Sequence, residues 1–134
     1  MAVALDTDVV IGFLDRGDAH HGAATEAVLT AAREGEIVTS AITLAEVMTG
    51  ARIGHHDVEA VRAFFGELVS RVLPIGALEA ELAAEIRAGS KLRLPDALVL
   101  ASAAVGDGVD AIVTGDAALA RAAPQGLRVR RLGE

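Results

Sequence analysis

A chain of 134 residues, 52% of them hydrophobic, is sized and composed for one domain with a filled core, expected to span residues 1–134. It has no Cys, which excludes disulfides, thiolate catalysis and Cys-ligated zinc; aromatics are only 2%, with neither Trp nor Tyr, which leaves essentially no surface for stacking bases on aromatic side chains. The net charge of −7 has the wrong sign for general nucleic-acid affinity, so any activity on a polyanion requires recruited cations or locally clustered basic residues.

The first apolar run, Ala2–Leu5, has strand length and leads directly into Leu5-Asp6-Thr7-Asp8. It carries no preceding basic region, and no later run approaches the roughly 20 apolar residues of a membrane span. A cytoplasmic location is therefore expected. Ala24, Val28 and Ala32 fall on one helical face, and Gly35 stands where a left-handed C-cap would end that helix. The short strand Ile37–Val38 follows, and just beyond it comes Thr43-Leu44-Ala45-Glu46. A second C-cap position is assigned to Gly50. Val58, Val61, Phe65 and Leu68 form the next helical stripe, before the strand Val72–Leu73. Leu78, Leu82 and Ile86 form a third stripe, closed by Gly89. The segment Ala97–Val105 is apolar on every side apart from Ser102, which predicts a central helix covered all round. A Gly106-Asp107-Gly108 turn then introduces the strand Ala111–Val113. Strands that do not alternate are expected to be buried on both faces. Their alternation with helices predicts an α/β fold with a mainly parallel sheet.

Four acids fall at significant places in this order. Asp6 follows the first strand, Glu46 lies beyond the second, Asp96 opens the central helix in Leu94-Pro95-Asp96-Ala97, and Asp116 follows the fourth strand in Val113-Thr114-Gly115-Asp116. Strands of a parallel sheet all exit on one edge, where ligands bind, so the four carboxylates can meet. Each also has a local explanation as a helix cap. Thr43 with Glu46 reads as a capping box, Pro95-Asp96 as a first helical turn, Asp116 as an N-cap, and Asp6 or Asp8 as the cap of the first helix.

The energetics favour a shared site over caps alone. Two carboxylates about 5 Å apart repel by roughly 3 kcal/mol at an effective dielectric near 20, whereas a cap contributes about 1 kcal/mol. A divalent cation removes the conflict, and hard carboxylate oxygens are the ligands that Mg²⁺ or Mn²⁺ prefers. One ion or two would orient a water molecule and offset charge developing on a phosphate. Thr7 and Thr114 are placed to orient a carboxylate or a water.

In these residues the chain resembles the PIN-domain nucleases, and among them the VapC-type toxins of bacterial toxin–antitoxin pairs. The resemblance runs through Leu5-Asp6-Thr7-Asp8-Val9-Val10-Ile11, Thr39–Val47, Leu94–Leu98 and Ile112–Asp116. It implies a three-layer α/β/α sandwich and a Mg²⁺- or Mn²⁺-dependent endoribonuclease whose catalytic, metal-binding acids are Asp6, Glu46, Asp96 and Asp116. It further implies a homodimer silenced by a cognate antitoxin, with DNA engaged only indirectly through that antitoxin. One departure is Ala117-Ala118-Leu119, where the family places an aromatic after the last acid.

Two other readings compete. Asp6-Thr7-Asp8 also resembles the Asp-x-Asp nucleophile motif of haloacid-dehalogenase-type phosphatases, but that scheme gives Glu46 no task. A non-cleaving module that binds RNA or a partner protein would gain nothing from four acids. The pairs His20-His21 and His55-His56 lack metal-site spacing and read as surface. Arg87, Lys91 and Arg93, and likewise Arg128, Arg130 and Arg131, read as solvated charge; Lys91 could contact the scissile phosphate or an RNA backbone, but flexible surface is the commoner role for a Lys.

Overall fold

The computed structural model describes residues 1–133. Its strands are β1 (Ala2–Leu5), β2 (Glu36–Ser40), β3 (Val69–Leu73), β4 (Val109–Thr114) and β5 (Arg128–Arg131). Between them lie α1 (Thr7–Leu14), α2 (His21–Glu34), α3 (Ala41–Arg52), α4 (Val58–Glu67), α5 (Ala77–Ala88), α6 (Leu94–Val105) and α7 (Ala117–Ala122). The strands form one sheet in the order β3-β2-β1-β4-β5, and every pairing is parallel.

Side chains alternate across each strand and so fill two cores. Val3, Leu5, Ile37 and Val113 pack under α1 to α4 on one face. Ala2, Ala4, Val38 and Ile112 pack under α5 to α7 on the other. The expected α/β/α sandwich is thus the observed architecture. Within it α6 buries Ala97, Val99, Leu100, Ala101, Ser102 and Ala103, as expected of a helix apolar all round. Its wealth of Ala lets the helix sit close to the sheet, which is how a core with so few aromatics is filled.

Several local readings are corrected. A fifth strand is present where Arg128, Arg130 and Arg131 suggested only solvated charge. Val129 packs on the core while Arg130 pairs with Glu34 of α2, at 2.7 Å. Charge on a sheet edge discourages further strand pairing, and it also hides the strand's pattern. β3 is the other edge, so Val72 is 40% exposed rather than covered on both faces. In α2 the inward stripe is Ala24, Val28 and Ala31; Ala32 faces solvent. None of the three glycines expected to be left-handed is so: Gly35 is extended at φ 160°, Gly50 lies inside α3, and Gly89 closes α5 at φ −101°. Gly108, in the turn before β4, does adopt a left-handed φ of +69°.

Candidate active site

The chain leaves β1 toward β2 and β3, then returns through β4 to the other side of β1. That reversal opens a crevice at the carboxyl ends of β1 and β4, the usual ligand position in an open parallel sheet. A recess of about 260 Å³ lies there, lined by Asp6, Thr7, Asp8, Ile11, Glu46, Arg93, Asp96 and Asp116. All four acids singled out from the sequence border it.

Asp6 sits at the junction of β1 and α1 and is 4% exposed. Its Oδ1 accepts the Thr7 N–H at 2.8 Å and thereby caps α1, while its Oδ2 accepts the Thr114 hydroxyl at 2.8 Å. Burial pushes its carboxyl up to about 7, with the charge of Asp8 adding to the rise and the two hydrogen bonds opposing it. A neutral form at near-neutral pH is the expected response of a poorly solvated carboxyl among like charges.

Asp116 caps α7, its Oδ1 accepting the N–H groups of Ala118 at 2.8 Å and Leu119 at 3.3 Å. The Thr114 hydroxyl accepts the Asp116 N–H at 2.9 Å while donating to Asp6. One side chain therefore ties two of the acids together.

Glu46 does not leave a strand. It lies in the second turn of α3, where the Thr7 hydroxyl donates to its Oε1 at 2.8 Å. Thr7 has a single proton, so the 3.0 Å contact with Thr43 requires Thr43 to be the donor. The expected Thr43–Glu46 capping box is absent, because Ser40 already caps α3 by accepting the Ile42 N–H. Thr43 is thereby drawn inside the helix and buried. Asp96 lies in the first turn of α6 and pairs with Arg93 at 3.2 Å. This ion pair holds Arg93 at the rim, 76% exposed, and raises its already high pKa.

Two charged lining residues were not assigned to the site from the sequence. One is Arg93, read there as solvated charge. The other is Asp8, read only as a cap or as a phosphatase acid. The Asp8 Oδ2 accepts the Gly115 N–H at 2.9 Å, and a Cβ on Gly115 would come within 2.8 Å of that oxygen. Glycine is needed there for close approach rather than for an unusual φ. Asp8 keeps an open face, yet desolvation raises its carboxyl too, against the hydrogen bonds from Gly115, Asp6 and Val9. Its signal in the sequence was the spacing of Asp6 and Asp8, which puts both in the first turn at one sheet edge.

The donor set is chemically suited to Mg²⁺ or Mn²⁺, being oxygen-rich, crowded and electrostatically strained. Among the described residues, however, no three Asp, Glu or His side chains stand close enough to hold an ion as placed. Among them, too, no helix is long and apolar enough to cross a membrane.

The fold, as distinct from the site, has counterparts among proteins of known structure. The fold is shared with the VapBC2 complex of Rickettsia felis bound to a promoter DNA fragment, at 17% identity and a TM-score of 0.75, covering 98% of both chains. It is shared with VapC20 of Mycobacterium tuberculosis, described as a sarcin-ricin loop cleaving toxin, at 26% identity and a TM-score of 0.71, over 94% of this chain and 98% of that one. A toxin–antitoxin complex from Klebsiella pneumoniae matches at 26% identity and a TM-score of 0.69, with the same coverage. No curated protein sequence matches significantly. The sequence profile of the PIN domain matches residues 3–124, and the chain belongs to the PIN domain family.

Proposed function

We propose that residues 1–134 form a single nuclease domain, a Mg²⁺- or Mn²⁺-dependent endoribonuclease that acts as the toxin of a toxin–antitoxin pair. The observation that carries this reading is the crowding of Asp6, Asp8, Glu46, Asp96 and Asp116 around one recess at the carboxyl edge of the sheet. Membership of a family that is typically nucleolytic and generally metal-dependent supports it. So does likeness to toxins crystallised with their antitoxins and, in some cases, with DNA. By the same analogy the chain would work in the cytoplasm, dimerise, be silenced by its own antitoxin and meet DNA only through it.

Asp6, Glu46, Asp96 and Asp116 would hold the metal, with Asp8 beside them. A bound divalent ion supplies a water of lowered pKa and offsets charge building on the scissile phosphate. The protein's own part is positional. Thr114 fixes Asp6 relative to Asp116, and Thr7 fixes Glu46 relative to α1. Arg93 sits at the rim where a phosphate would enter, its charge shared with Asp96. The phosphatase alternative is disfavoured because it gives no task to Glu46, which borders the recess with Asp6 and is held by the Thr7 hydroxyl.

The direct test is incubation of the purified chain with RNA. Internal cuts should form with Mg²⁺ or Mn²⁺ and stop when EDTA is added. Cleavage that continues in EDTA would sink the metal role, and hydrolysis of small phosphomonoesters without RNA cutting would favour the phosphatase. A second expected result concerns Gly115→Ala. Its Cβ displaces the Asp8 carboxylate, so cleavage should fall by roughly ten- to a hundredfold, the range for groups that orient metal ligands. Stability should change by less than about 1 kcal/mol, because a flexible side-chain end can move aside. Unchanged cleavage, read beside the melting temperature, would remove Asp8 from the site.

A further inference from the structure

An acidic nuclease must still hold a polyanion next to a recess of carboxylates. A second recess, of about 270 Å³, is formed by the Gly89–Leu92 turn between α5 and α6 together with Ala118, Arg121 and Ala122 of α7. The two recesses share their supporting elements. Arg93, next in the chain after Leu92, lines the acidic one, and Asp116 caps the helix that carries Arg121.

The second recess has the opposite charge. Lys91 and Arg121 line it, and no carboxylate does. Both side chains are exposed, and among the described residues neither makes an ion pair. The turn is also held in shape. The Ser90 hydroxyl donates to the Ile86 carbonyl and accepts the Leu92 N–H, and Arg87 Nε donates to the Leu92 carbonyl at 3.1 Å. Two cations on one preformed concave wall without a carboxylate make a site suited to an anion, in a chain whose net charge is −7.

We propose that this recess holds backbone phosphates of an RNA strand whose neighbouring segment lies in the acidic crevice, with Lys91 and Arg121 each contacting a phosphate. The inference rests on the nuclease reading above. With no aromatic side chain on its wall and phosphates as its contacts, the recess adds affinity and register without base preference. Lys91 thus moves from flexible surface to substrate contact.

The test compares wild type, Lys91→Glu/Arg121→Glu, and a charge-matched control, Arg33→Glu/Arg62→Glu, on the opposite helical layer. The probes are one single-stranded RNA sequence in two forms, an uncleavable 2′-O-methyl form for binding and the ordinary form for cleavage. The recess variant should bind about tenfold more weakly near 0.1 M salt, and its log–log salt slope should shrink by about 1.4, roughly 0.7 for each lost contact. KM should rise by the same factor at unchanged kcat, equally for unrelated sequences. Lys91→Ala/Arg121→Ala should shift in the same direction, and melting temperatures establish that all variants fold.

If wild type cleaves and the recess variant matches the control, the recess is excluded while the nuclease reading stands. If wild type binds without cutting, the nuclease reading fails and the affinities alone decide the recess. Wild type that neither binds nor cuts overturns both.

Discussion

Asp6→Asn is expected to lower RNA cleavage by roughly a hundred- to a thousandfold, the scale on which one preorganised charge-stabilising group acts, while the metal-free protein keeps or gains stability. Both halves follow from the same side chain. Asp6 is buried, its charge disfavoured by lost solvent and by Asp8, so a neutral isostere relieves a native strain. Asparagine keeps the Oδ1 acceptor for the Thr7 N–H, so the cap on α1 survives. The cost is local: the new amide faces the Thr114 hydroxyl, which must turn its proton elsewhere. Asp116→Asn should behave alike, since its cap on Ala118 and Leu119 needs only a side-chain oxygen. Cleavage rates and melting temperatures in EDTA, measured together, check the pair. A variant that cuts RNA normally would remove Asp6 from catalysis, and one that unfolds would show that capping was its main work.

The second large effect is on stability against pH. With metal removed, wild type should lose stability as pH rises from about 4 to about 7. Folded Asp6 gives up its proton near 7, whereas in the unfolded chain it does so near its ordinary 3.8. Between those values the folded state holds a proton that the unfolded state has released, so each rise in pH favours unfolding. The contribution is complete below 3.8 and gone above about 7. A shift of about three units corresponds to up to about 4 kcal/mol, most of it lost between pH 5 and 7 in an accessible titration. Asp8, also raised, acts in the same direction. Glu34, lowered by its hydrogen bond to Arg130, acts oppositely, but below its ordinary 4.5. Urea unfolding in EDTA at pH 5 and pH 8 measures the difference. Wild type should show the fall, and Asp6→Asn should show much less of it; equal slopes would mean that Asp6 titrates normally.

Capping and metal binding stood as rivals in the sequence, and the fold makes them compatible. Asp6 and Asp116 cap α1 and α7, and both border the recess. The reason is geometric. A helix that follows a parallel strand begins at the strand's carboxyl edge, so its cap faces the ligand crevice. The exposed N–H groups and positive dipole end of each helix then offset part of the repulsion. Caps and dipoles do not cancel the cost of the site: burial first, and then the charge of Asp8, still raise the Asp6 carboxyl.

What the sequence determined by itself was the periodic and the contiguous. β1, the all-round apolar α6, the turn at Gly108 and the acids next to strand ends could be read because burial and local geometry act on neighbouring residues. Tertiary structure alone decided the rest. It made a strand of Arg128–Arg131 through pairing with β4, and it recruited Glu46 from within α3 through the Thr7 hydroxyl, 39 residues away in the chain. It also set Asp8 against Gly115, 107 residues distant. Such contacts leave no periodic trace, because the partner that makes them favourable is chosen by the packing of the sheet.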